Sequence, residues 1–91
     1  MVIKVSVVLE NKLGLHARAS AKLVSAAIRF QSQLEFIKDN GQRINGKSIM
    51  AVMTLGARQG KTLNLEFDGP DEEEMKEAIL RLIANKFGEQ E

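Results

Sequence analysis

Apolar residues in this chain switch spacing between alternation and a helical period of about 3.6, and that rhythm limits the possible folds most. Ile3, Val5, Val7 and Leu9 alternate with Lys4, Ser6 and Val8, as in a strand with one buried face. From His16 or Ala17 the period changes, and Leu23, Val24, Ala27 and Ile28 recur at helical spacing. Lys22, Ser25 and Arg29 fall on the opposite side of that helix. Leu34 and Phe36 alternate with Gln33 and Glu35 as a second strand. Asp39-Asn40-Gly41 reads as a turn, and a short third strand around 42–45 pairs back as a hairpin. Ser48 suits the N-cap of a brief helix from Ile49 to about Leu55, closed by Gly56. Leu63, Leu65 and Phe67 alternate as the fourth strand. Asp71 and Glu74 have the spacing of a capping box. The last helix would bury Met75, Ala78, Ile79, Leu82, Ile83 and Phe87, and Gly88 would stop it.

The order is βαββαβα. Alternating strands give each sheet face a different environment, which suits an antiparallel sheet with one wet face. The expected fold is α/β (α+β): an open-faced two-layer sandwich, a four-stranded antiparallel sheet with three helices on one face. With 91 residues the chain reads as a single domain over 1–91, with no room for a deep cofactor cavity and no cofactor expected. A net charge of +1 gives no general affinity for nucleic acid or membranes. An RNA-binding α/β domain would need aromatics on a sheet face, yet Tyr and Trp are absent and the Phe residues read as core. The chain has no cysteine, which fits a reducing cytoplasm. The apolar N-terminus lacks the basic region and cleavage site of a signal peptide, and no apolar run approaches ~20 residues. A cytoplasmic location without membrane insertion is therefore expected. Gln90 and Glu91 are expected to fray.

The stretch Gly41-Gln42-Arg43-Ile44-Asn45-Gly46-Lys47-Ser48 fits the phosphate-binding loop pattern G-x-x-x-x-G-K-[ST]. A working loop of that kind follows a buried parallel strand and opens a long helix. Here the strand belongs to a hairpin and the next helix is short. Asp68 follows a strand as a Walker B acid would, but that strand alternates with polar residues. The match is read as chance: Gly41 finishes a turn, Gly46 loosens the connection to the helix, and Ser48 caps it.

His16 is the only histidine and sits where a loop becomes a helix. A helix start leaves N–H groups unsatisfied and favours negative charge, so it favours the neutral, nucleophilic imidazole. Arg18 lies in the same turn, against the dipole, and its guanidinium can grip phosphate oxygens in two places. Nucleophile, N–H donors and cation within one turn are what phosphoryl transfer requires. A cap or a plain surface histidine also fits these residues. A metal site fits less well, since no second His or Cys shares it. Ile49, Met50 and Met53 would form an apolar patch beside Ser48 suited to several partners, unless the core takes them.

Gly14-Leu15-His16-Ala17-Arg18-Ala19-Ser20-Ala21 resembles the active-site signature of the HPr family, the histidine-containing phosphocarriers of the bacterial phosphoenolpyruvate-dependent phosphotransferase system. The stretch from Asn45 through Ser48 to Gly56 resembles that family's regulatory serine region. The likeness spans almost the whole chain, in order and spacing. It departs at Ala19, where the family usually has Pro; alanine keeps a good helix former but loses some stiffness. The resemblance implies that His16 accepts a phosphoryl group at Nδ1 from phospho-enzyme I, with Arg18 stabilising it. Phospho-His16 would pass it to IIA domains of sugar permeases or to regulatory IIA proteins. The chain would be a carrier without turnover of its own. Ser48 would be modified by an HPr kinase/phosphorylase, and Ile49, Met50 and Met53 would meet partners. An alternative within the same fold is a regulatory, nitrogen-related relay or an adaptor; the presence of both His16 and Arg18 argues against a serine-only adaptor.

Overall fold

Phe36 shows how the alternating strands assemble. It lies on β2 (Gln33–Ile37), opposite Ile44 of β3 (Arg43–Asn45) on one side and Leu65 of β4 (Thr62–Asp68) on the other. Leu65 in turn faces Val5 of β1 (Ile3–Val8). One apolar row thus crosses the sheet, whose order is β1-β4-β2-β3 with every pair antiparallel. A one-residue slip would turn the whole row to water, so the register is strongly specified. The computed structural model describes residues 1–90, so the expected fraying at Glu91 falls outside them.

Three helices cover the apolar face: α1 (Ala17–Ala27), α2 (Ile49–Met53) and α3 (Glu72–Ala84). Leu23 and Ala27 of α1, Val52 of α2, and Met75, Ile79 and Ile83 of α3 join Phe36, Phe67 and Leu65 in the core. On the open face the Arg43 guanidinium donates to Glu35 at 3.0 Å and to Glu66 at 2.9 Å. Its hydrogen bond holds the Glu66 carboxyl below the usual carboxylate range.

Several local expectations need correction. Ile28 is the C-cap of α1 rather than part of its buried stripe, and it is exposed, because the helix ends one residue earlier. Helix α2 stops at Met53, short of Leu55. Gly46 does not merely loosen its connection: a Cβ there would strike the side chain of Leu34, so glycine allows close packing. Asp71 is the N-cap of α3, but it forms no side-chain cap and no capping box with Glu74. Its carboxylate instead accepts from the backbone N–H groups of Gln31 at 3.0 Å and Ser32 at 2.9 Å, and from the Ser32 hydroxyl. The start of α3 is thereby tied to the α1–β2 connection.

The end of α3 also differs. It closes at Ala84, and a 3₁₀ turn, Lys86–Gly88, follows, which the sequence reading missed. Lys86 and Phe87 both adopt positive φ, near 55° and 56°. Left-handed backbone costs roughly 1–2 kcal/mol per non-glycine residue. Burying a phenylalanine returns about 1.5–3 kcal/mol, and the Phe87 ring is buried in the core. The reversal sends the chain back toward the start of α1.

The hydrogen bonds from Ser32 and then Gln31 hold the Asp71 carboxyl below the usual aspartate range. A depressed folded value means its contribution is complete above the ordinary aspartate range and is lost as pH falls through the lowered value. Asp71→Asn should therefore lower stability near neutral pH, and the gap from wild type should shrink in strong acid. Urea unfolding at a series of pH values checks this; a gap independent of pH would contradict it.

Candidate functional site

The loop before α1 is fixed by a glycine. Gly14 has φ +69°, and a Cβ on it would run into the carbonyl oxygen of Ala57 and approach the Arg58 Cα. The next residue, Leu15, is buried and donates its N–H to the same carbonyl at 3.0 Å. The loop is thus clamped to the segment that leaves α2. Asn11 closes it from within: fully buried, it donates Nδ2 to the Gly14 carbonyl at 2.8 Å.

His16 follows as the N-cap of α1, with extended backbone (φ −74°, ψ 178°) and no capping bond from its side chain. The ring is therefore not spent on the helix. Its carbonyl still accepts the N–H of Ser20 at 2.9 Å, which starts the helical ladder. No acidic residue occupies the first turn, so the positive end of the helix is left uncompensated by its own side chains.

A residue the sequence reading missed completes the arrangement. Glu89, brought back by the left-handed turn at Lys86 and Phe87, places Oε2 2.5 Å from His16 Nε2. Its other oxygen accepts from Asn11 Nδ2 at 3.0 Å. The contact spans 73 residues of sequence, and no short-range pattern announces it. Burial pushes the Glu89 carboxyl up, but hydrogen bonds from His16 and Asn11 and the charges of His16 and Lys22 outweigh it, leaving it below the usual range. The contribution is therefore present above the ordinary glutamate range and disappears as pH falls through the lowered value.

Arg18 is exposed in the first turn of α1 and makes no hydrogen bond or ion pair among the described residues. It lines an open groove between α1 and α3. Ser48 caps α2, its Oγ accepting the Ala51 N–H at 3.2 Å. The phosphate-loop match spans the β2–β3 turn, β3 and the start of this five-residue helix, within an antiparallel sheet. Ile49, Met50 and Met53 are exposed, by 41%, 77% and 41%, so the core takes none of the three. Val52 and Leu55 turn inward instead. Among the described residues no helix is long and apolar enough to cross a membrane.

Comparison with known proteins matches residues 3–85 to the family model PTS-HPr, described as the PTS HPr component phosphorylation site. The chain belongs to the HPr family. The phosphocarrier protein HPr of Cupriavidus necator is 58% identical over 81 residues, covering 89% of this chain and 90% of that one. HPr of Neisseria meningitidis serogroup A is 47% identical over 89 residues, covering 98% and 99%. The crystal structure of HPr-C-His from Thermoanaerobacter tengcongensis superposes with a TM-score of 0.91 at 45% identity, covering 98% and 99%. Membership in the HPr family makes this chain a phosphocarrier of the phosphotransferase system.

The Glu89 contact also bears on the imidazole's tautomer. A carboxylate on one ring nitrogen fixes the proton there and leaves the other nitrogen with its lone pair. With Nε2–H donated to Glu89, the neutral ring carries its lone pair on Nδ1. Nitrogen-15 spectra of the neutral ring should show the Nε2–H tautomer dominant in wild type and the balance relaxed in Glu89→Ala. A dominant Nδ1–H tautomer in wild type would contradict the pairing.

Proposed function

We propose that the chain, as one phosphocarrier domain over residues 1–91, accepts a phosphoryl group from phospho-enzyme I on Nδ1 of His16 and passes it to IIA proteins in sugar uptake or its regulation. The observation that carries this reading is the His16–Glu89 pair at the uncapped start of α1. In the forward step the P–N bond to the donor breaks and a P–N bond to Nδ1 forms. The ring becomes an imidazolium, still holding its proton on Nε2. The Glu89 carboxylate faces that nitrogen and stabilises the positive charge as it develops. In the onward step the phosphoryl leaves, the lone pair returns to Nδ1, and the ring is neutral again. No net proton moves, so the same geometry serves both directions. Positioning and charge stabilisation suffice for such a transfer, and the chain has no turnover of its own.

Arg18 is the free cation of the same turn. Its guanidinium suits the equatorial oxygens of the moving group. The unspent N–H groups at the start of α1 favour the same negative charge. Ser48 is the regulatory site, phosphorylated by an HPr kinase/phosphorylase. A phosphate there adds about −1.5 to −2 charge at a helix N-terminus, where it keeps an acceptor for the Ala51 N–H and leaves the fold intact. Ile49, Met50 and Met53 form the flexible apolar part of the docking face, and the added charge would disturb partners there. The cytoplasm, where these partners act, is the proposed location.

Incubation with enzyme I and phosphoenolpyruvate should give an acid-labile, base-stable phosphoprotein. His16→Ala should abolish the label, and Arg18→Ala should slow its formation by about 100-fold, in line with removal of one charge-stabilising donor. A label retained in His16→Ala would overturn the site.

A further inference from the structure

The groove between α1 and α3 collects cations without acids. Arg18, Lys22 and Arg29 line it from the α1 side and Arg81 from α3, while no Asp or Glu lines it. Ala21 and Leu82 supply apolar lining between the charges. Arg18, Arg29 and Arg81 form no ion pair among the described residues. Elsewhere some cations are paired: Arg43 holds Glu35 and Glu66, Lys61 holds Asp39, and Lys76 holds Glu73. Lys4, Lys38, Lys47, Arg58 and Lys86 form no ion pair among the described residues either, so what marks the groove is four cations together with no acid in its lining. Even Glu77, one turn before Arg81 at a spacing that favours pairing, makes no ion pair with it. Lys22 is drawn toward the fold, donating Nζ to the Phe87 carbonyl at 2.7 Å. Arg18 and Lys22, four residues apart, are a like-charge pair that works against the helix.

The charges are strung out rather than gathered. Arg18 and Lys22 lie one turn apart on α1, and Arg29 follows just past its C-cap Ile28, so the row runs the length of the helix, about 15 Å from Arg18 to the C-cap at ~1.5 Å per residue. A single phosphate, whose oxygens lie within a few ångströms, engages one end of such a row. An extended run of carboxylates engages all of it, with small apolar side chains packing between the cations. One end of the row is Arg18, so the groove continues the surface around His16.

We propose that this groove is a docking rail for a carboxylate-rich segment of a phosphotransfer partner, separate from the α2 patch. The proposal rests on the phosphocarrier reading for the partner's identity as a relay protein. Mutual repulsion of the rail's cations is relieved when the acidic segment lies along it. Its charge steers encounter, so the main effect falls on association and on its salt dependence.

The experiment uses Arg29→Glu/Arg81→Glu, two changes outside the turn that holds His16. Transfer is followed from enzyme I to the chain, and from the chain to a IIA acceptor, at low and high salt. At low salt the variant should raise KM about 10-fold or more in at least one step with kcat held, and salt should raise the wild-type KM toward it. Arg29→Gln/Arg81→Gln, which removes charge without reversing it, should give a smaller rise in KM and guards against misfolding. Unchanged KM for both variants in both steps, with His16 still labelled, overturns the rail alone. Failure to label wild type overturns the phosphocarrier reading instead. Backbone amide shifts are then compared for oligoglutamate, inorganic phosphate and a single-stranded oligonucleotide. Oligoglutamate should perturb both helices along the groove. Tighter binding of phosphate or of the oligonucleotide there overturns the acidic-segment assignment.

Discussion

The contact between Gly14 and the backbone of Ala57 fixes where the imidazole can be. Only a residue without a Cβ fits there at positive φ, and Leu15 secures the fit with a hydrogen bond to the same carbonyl. That clamp sets the point at which α1 begins, so it sets His16 as N-cap rather than as an interior helical residue. From the opposite side the chain returns through two left-handed residues and lays Glu89 against Nε2. Asn11 joins the two sides, holding the Gly14 carbonyl with one proton and Glu89 with the other. The ring is thus held at the edge of the fold by segments from both ends of the chain.

The layered fold was legible because its signal is periodic. Leu34, Phe36, Leu63, Leu65 and Phe67 all face the core as alternation requires, and Met75, Ile79 and Ile83 do so at helical spacing. Errors gathered where periodicity stops. Ile28 continues the α1 pattern in sequence but lies at the C-cap, and the end of α3 turns left-handed before Gly88. Neither boundary follows from local propensity, because the burial of Phe87 decides the second. Asp71 was placed correctly and its bonds were not: a carboxylate at an N-cap competes between its own helix and any nearby N–H groups, and those of Gln31 and Ser32 win.

The site divides the same way. His16, Arg18 and Ser48 were open to proposal from the sequence because each belongs to one short segment with recognisable helix-start chemistry. Glu89 was not, since its meeting with His16 is a tertiary event between remote parts of the chain. Ile49, Met50 and Met53 lie exposed as the apolar patch that the sequence suggested, although so short a helix shows little periodicity from which to read the side that faces the sheet. Charge distribution was hidden for a related reason. A net charge of +1 conceals a groove lined by four cations and no acid.

The idea on which the functional reading turns is that Glu89 reserves Nε2 and thereby offers Nδ1 to phosphorus. Nitrogen–phosphorus couplings in the enzyme I-phosphorylated, nitrogen-15-labelled protein test it most directly. Coupling to Nδ1, with a proton still resident on Nε2, is the predicted result. Phosphorus bonded to Nε2 would contradict it, because the carboxylate would then face the very atom it is held to protect.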